Sequence, residues 1–463
     1  MAEERGKNHH NLVEGPIRSS LIRMTLPMII GMIMLFTFSL VDTLFISFLG
    51  TEALTAISFT FPVTFTVMSL AIGLGIGASA VVAKYIGKSD LESAKKAATV
   101  IQYISFVLAA LVVLVCWLAM DNIFRLMGAS ESLMPSIRAY MHVWFPGSIL
   151  VVCIMTGNSV LRACGNTKTP SILMAFAGFM NALLDPLLIF GLGPVPGLGI
   201  QGAAWATVIA WSLGFGYLTY LLVVRMEMVS RAIPGVQMFR DSGMQMLRIG
   251  VPAAGANMMT PLAAGIMTAI AAGFGDSAVA AFGVGGRIEP IATLLVLAMS
   301  SSLPPLISQN YGAGRLDRVA DAYTMSLKFV MGWQALVYLV LALSAGLISS
   351  VFSSDPDVQP TIAQFVWIMP LGYGFQGVII LTNSSLNAMH KPLGALYLSI
   401  ARFFVFYVPL AYAGSRVFGL PGFFAGAVVG NFLMAGISWA TFNKALAEER
   451  SGEAEESGAE PAS

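Results

Sequence analysis

The sequence predicts an all-α polytopic membrane protein, with twelve transmembrane helices in two six-helix lobes related by a pseudo-twofold axis along the membrane normal. Three observations carry that prediction: an apolar composition, apolar runs of spanning length, and an internal repeat six runs long. Of 463 residues, 57% are hydrophobic and 11% charged, with a mean hydropathy of +0.79; soluble domains carry roughly 25% charged residues. The net charge is +1 and the basic residues are dispersed, which argues against nucleic acid as a partner and leaves the lipid bilayer as the expected surroundings.

A span needs about 20 mostly apolar residues. Such runs, bounded by glycine, proline or charge, cover 24–48, 54–83, 95–120, 138–163, 169–191 and 199–225 in the first half. In the second half they cover 246–273, 278–308, 318–350, 360–386, 393–416 and 420–444. The chain therefore divides into an N-terminal tail (1–23), an N-lobe (24–225), an inter-lobe linker (226–245), a C-lobe (246–445) and an acidic tail (446–463). Both tails read as disordered, the last because Glu448, Glu449, Glu453, Glu455, Glu456 and Glu460 crowd it. The first apolar run is too long for a signal-peptide core and lacks a small-residue cleavage site, so it is expected to stay as a span. With both termini inside, 20 of 25 Lys and Arg fall on inner segments and only Arg125, Arg138 and Arg416 on outer ones. That bias predicts a multi-pass protein of the inner membrane with both termini cytoplasmic, the linker included.

Pro27, Gly50, Gly87, Gly147, Asn158 and Leu161 recur 225 positions later as Pro252, Gly275, Gly312, Gly372, Asn383 and Leu386. After a three-residue deletion Pro170 meets Pro392, so the duplicated unit is six spans long. Six is even, so both copies enter from the same side and the axis relating them runs along the membrane normal.

Of 24 acidic residues, only Asp42, Asp185 and Glu289 fall well inside the spans. A carboxylate in a span costs about 2.5 to 3.5 kcal/mol on insertion scales and usually faces an interior or aqueous path. Asp185 has no acidic counterpart, since the repeat places Tyr407 there, and Asp42 matches Met267. Asp42 and Asp185 each lie six residues before the outer end of their span, roughly 9 Å deep, and Thr207 lies about 12 Å deep in span six. Asn181 precedes Asp185 by four residues and shares its face. These groups can form one oxygen-lined site for a proton or Na+, with Pro186 freeing a backbone carbonyl beside it.

The twelve spans, the parallel repeat, VDTLFISFLGTEALTA (41–56), NALLDPLLIFG (181–191) and SQNYGAG (308–314) resemble the multidrug and toxic compound extrusion (MATE) family. The resemblance covers about residues 18 to 445, and the aspartates of spans one and five point to its DinF-like branch. It implies that Asp42 takes part in H+ or Na+ coupling, that Asp185, Asn181, Thr207 and Asn158 complete the N-lobe cation site, and that Pro27 marks a bending point in the first helix. It further implies a monomeric antiporter that exports organic cations or amphipathic drugs and needs no cofactor beyond the coupling ion. Span four runs inward, which places Asn158 nearer the cytoplasmic side. The acids that another branch carries in spans seven and ten are absent here.

Several features have plainer explanations. GLGIGA (73–78) mimics a dinucleotide fingerprint but lies mid-span without a preceding strand, so close helix packing accounts for it. Cys116, Cys153 and Cys164 make neither a disulfide framework nor a CxxC pair. In the C-lobe, Glu289, Arg287, Tyr373, Phe375 and Tyr407 are candidates to line a substrate cavity, with Phe403 beside them; Arg287 and Glu289, two apart, cannot share a face of a straight helix. An enzyme is not expected: no HExxH, GxSxG or paired-aspartate magnesium motif is present. The alternative to efflux is a lipid-linked oligosaccharide flippase, a function that favours more buried Arg and Lys than the two within these spans, Arg287 and Arg402.

Overall fold

The computed structural model describes residues 12–192, 195–230 and 234–457. Among them ten helices are long and apolar enough to cross a membrane, and a further pair, Asp276–Ala292 and Leu294–Gly312, makes one bent span. The last long helix is two spans, because Phe418 and Gly419 leave helical geometry between them. Twelve spans result, in the order predicted.

The first six are Ile17–Ser47, Thr51–Gly87, Leu91–Leu118, Met134–Ala163, Lys168–Phe190 and Ile200–Tyr220, the last continuing as a π-helical turn through Arg225. A two-stranded link pairs Gly191 with Pro196 and Leu192 with Val195 between spans five and six. Span seven is Val236–Ala272, span nine Leu316–Leu343, and span ten Gln359–Ala388, interrupted by a 3-10 turn at Met369–Gly372. Span eleven starts at Pro392, winds as a π-helix over Ala401–Tyr407 and runs on from Val408.

Local chemistry sets the ends. Span three begins where the Asp90 carboxylate accepts the Ser93 amide at 2.9 Å, an N-cap that satisfies one of the orphan donors of the first turn. Hydrogen bonds from Ser93, side chain and backbone, hold the Asp90 carboxyl below the usual carboxylate range. The cap therefore contributes fully at neutral pH and is lost only as pH falls through that lowered value. Gly50 and Gly275, 225 apart, share φ +99°, a conformation open to glycine alone. Two further left-handed turns recur at the same offset, Ser89 with Gly314 and Gly165 with His390. The duplication thus extends to the backbone of the connections.

The described residues form two compact units, one of residue 12 with those within 26–254, the other of residues 13–25 with 255–457. The division falls inside span seven, not in the expected linker, for a packing reason. A Cβ added at Gly73 would lie 2.4 Å from the Gly250 carbonyl, and one at Gly77 2.5 Å from that of Met246. The GLGIGA stretch thus lets the first half of span seven pack backbone to backbone within the first unit. Residues 236–245, expected in the linker, are the opening turns of that helix.

Both expected tails are ordered where described. Span one starts at Ile17, Leu12 is fully buried, and the carbonyls of Val13 and Gly15 accept bonds from Arg315 and Arg318 at 3.3 and 3.0 Å. The last helix extends to Ser457. Glu449 accepts the Tyr311 hydroxyl at 2.9 Å, Lys391 pairs with Glu448 and Glu449 at 3.1 Å, and Arg450 pairs with Asp317. Residues 1–11 and 458–463 lie outside the described residues. Lys391 also bonds the Ala445 carbonyl at 3.1 Å and is about three-quarters shielded. Lys391→Ala is expected to cost about 1 kcal/mol, the upper end for partly exposed pairs, read as a lower melting temperature of the purified protein.

Candidate functional site

Spans one, five and six position the site. Asp185 is fully buried on span five, and Asp42 is half-buried on span one. Their carboxyl groups are in hydrogen-bonding contact. A carboxylate offers only acceptors, so two can bond only through a proton or a cation held between them. One oxygen of each, Asp42 Oδ1 and Asp185 Oδ2, is buried without a partner among the described residues. Asn181, one turn before Asp185, points its Nδ2 at Asp185 Oδ1 at 3.4 Å and donates to Thr207 Oγ1 at 3.1 Å. Thr207 donates in turn to the Ala203 carbonyl at 3.0 Å. The result is a compact group of oxygens with unspent acceptor capacity, the condition that draws in a small cation.

One turn further along each element sits an apolar residue. Ile46 follows Asp42 by four, Ile189 follows Asp185 by four, and Ala203 precedes Thr207 by four; the three form one buried cluster with Phe45, Leu49, Ile57 and Tyr140 against it. The carboxyls thus sit beneath a dry layer. Among the described residues no group of three His, Cys, Asp or Glu suited to a metal is found.

Asp42, Asp185, Asn181 and Thr207 come together; Asn158 does not. It is buried on span four with its Oδ1 unpartnered. Tyr140 of the same helix lies within electrostatic reach of both aspartates, and at 1.5 Å per residue Asn158 is about 27 Å further along. Tyr140 is the residue that the sequence reading missed, and the repeat held the signal, since its counterpart 225 on is Phe365, a ring without a hydroxyl. Span five continues through Pro186 and span one through Pro27. Pro186 still leaves the Ala182 carbonyl without an i+4 donor, though no break in the helix accompanies it. Asn181→Leu removes the donor shared by Asp185 and Thr207. If a coupling ion binds here, as proposed below, its concentration for half-maximal transport is expected to rise about tenfold, the worth of one bond to a charged group, as read from transport against cation concentration.

In the second unit the candidates part company. Arg287 is exposed, and Phe375 packs its ring edge-on against the exposed Phe432, centroids 5.1 Å apart. Glu289 is half-buried and accepts Gln376 Nε2 at 2.7 Å. Tyr373 and Tyr407 lie within its electrostatic reach.

The MatE family model matches twice, over residues 27–187 and 252–413. The matches begin 225 positions apart, the offset of the internal repeat. The chain belongs to the MATE family. As a MATE protein it is a membrane transporter, and it is similar over nearly its whole length to other members. It is 40% identical over 428 residues to the FAD transporter of Shewanella oneidensis, covering 92% of this chain and 95% of that one. It is 26% identical to the probable multidrug resistance protein YpnP of Bacillus subtilis, covering 89% and 92%. Among solved structures, the MATE transporter VcmN of Vibrio cholerae in its bent form shares 33% identity and a TM-score of 0.89, covering 94% of this chain and 98% of that one.

Proposed function

We propose that this MATE protein is a secondary active exporter that takes up H+ or Na+ at the Asp42–Asp185 site and releases an amphipathic organic solute in exchange, by alternating access. The observation that carries the reading is the contact between carboxyls from separate spans, each with a buried oxygen unpartnered. With both groups charged, their repulsion in a poorly solvated place is severe. One bound cation cancels it and lets spans one and five close together. Binding of the ion and an open site are thus mutually exclusive, and a solute that binds the open form is exchanged against the ion. The protein resides in the inner membrane with both termini cytoplasmic, and works as a monomer.

The 40% identity to a protein named as an FAD transporter favours a second substrate class, flavin dinucleotides, over organic cations alone.

The test is efflux from proteoliposomes of a fluorescent cationic dye and, separately, of FAD, under an imposed proton gradient and then a sodium gradient. Movement driven by one gradient and abolished by dissipating it is the expected result. Movement indifferent to both gradients would identify a channel, and no movement of either solute would overturn the reading.

A further inference from the structure

The second unit carries a different chemistry at the repeat position of the cation site. The offset of 222 that aligns Asp185 with Tyr407 also aligns Asn181 with Phe403 and Met180 with Arg402. In the first unit this stretch is regular α-helix; in the second it is the π-helical segment Ala401–Tyr407. A π turn shifts the side chains that follow it around the helix and is enriched at functional places.

Arg402 is 8% exposed, donates Nε to Asn431 Oδ1 at 3.1 Å, and lays its guanidinium 4.7 Å from the Phe403 ring centre. Its Nη1 and Nη2 make no hydrogen bond among the described residues. Glu289, within electrostatic reach of Arg402, spends Oε1 on Gln376 and leaves Oε2 unbonded. Tyr407 is in reach of both. Tyr373, 2% exposed and in reach of Glu289 and Tyr407, has a hydroxyl with no partner.

A buried arginine and a half-buried glutamate so placed would ordinarily close into a two-pronged ion pair. Here no ion pair joins them among the described residues. Asn431 and Gln376 hold the two groups on separate anchors, each with bonding capacity left over. A bare cation is disfavoured by the fixed charge of Arg402, and a bare anion by Glu289. A dipolar solute satisfies both.

We propose that Arg402, Glu289 and Tyr373 form a subsite for a dipolar aromatic solute, the guanidinium receiving its carboxylate or phosphate and the glutamate its cationic nitrogen or N–H. The inference rests on the exporter reading and names the solute class that reading leaves open. Phe403, already beneath the guanidinium, keeps the fork oriented.

The experiment measures binding to the purified full-length protein by fluorescence, using rhodamine B, a zwitterion, and its methyl ester, a plain cation. A second pair, flavin mononucleotide and riboflavin, differs by a phosphate and separates that oxyanion from a carboxylate. Wild type is expected to prefer the oxyanion-bearing member of at least one pair, and Arg402→Met to reduce that preference about tenfold or more. Arg402→Lys keeps the charge but loses the fork, and should reduce it severalfold. Tyr373→Phe deletes a hydroxyl bonded to nothing in the protein, so it should melt at the wild-type temperature while the preference falls about threefold to tenfold. An unchanged preference in Tyr373→Phe and Arg402→Lys overturns the proposal even if Arg402→Met fails to fold. Gradient-driven dye efflux with no oxyanion preference in wild type sinks the subsite and leaves the exporter standing. Preference without any gradient-driven efflux sinks the exporter and leaves the subsite.

Discussion

Asp42→Asn and Asp185→Asn are each expected to reduce gradient-driven efflux about 100-fold, toward the upper range of coupling between two sites, without lowering the melting temperature. The two halves of this result have different causes. Transport fails because one carboxyl alone no longer generates the repulsion that the entering cation relieves, so the ion ceases to bias one arrangement of spans one and five over the other. Stability holds because Asp42 Oδ1 and Asp185 Oδ2 are buried without partners. An amide at position 42 offers the Asp185 carboxyl a second donor beside Asn181, which removes an unsatisfied contact instead of creating one. Efflux from proteoliposomes and thermal melting in detergent check the two halves separately. Wild-type efflux in either variant would show that the carboxyl pair is packing and nothing more.

Gly202→Val should damage folding and transport together. A Cβ at Gly202 would lie 2.2 Å from the Leu188 carbonyl oxygen and 2.9 Å from the Ile189 amide nitrogen. Both neighbours are backbone, so no side chain can swing aside, and spans five and six must move apart. We expect a loss of about 3 kcal/mol, which for a domain this size is a drop of about 10 °C in melting temperature. Thr207, five residues on, would leave Asn181, and the oxygen group at the site would open. Gly216→Ala on the same helix is the control: an added Cβ there meets nothing within 4 Å, and alanine favours helix by about 1 kcal/mol. Equal melting temperatures for the two variants would show that the close approach at Gly202 is not a constraint.

Span number and order were legible because a bilayer leaves few alternatives to helices of a fixed length. The ends were not, since hydropathy is silent once the chain leaves lipid. Residues 446–457 are charged, yet glutamate is a good helix former and the partners of Glu448, Glu449 and Arg450 lie far away in sequence at Lys391, Tyr311 and Asp317. The grouping of Asp42, Asp185, Asn181 and Thr207 could be anticipated by counting rise from the outer ends of three spans, a rule that needs no side-chain detail. Tyr140 escaped because a tyrosine near a span end is unremarkable until the repeat sets it beside Phe365. Counting also warned of Asn158, whose depth never matched. Arg402 was visible as one of two basic residues within spans, but nothing in the sequence told of the π-helical turn that carries it.

The layer made by Ile46, Ile189 and Ala203 ties the shielding of the oxygen group to its assembly. Each of these side chains stands one helical turn from Asp42, Asp185 or Thr207 on the same helix, so the barrier cannot lift while the oxygens stay put. In the exporter proposed above, admission of the ion through that flank and assembly of its oxygen ligands would be alternatives, and a leak through the site would require both at once. On that proposal no separate gate is needed there: the helix movement that frees the ion also unbolts the door.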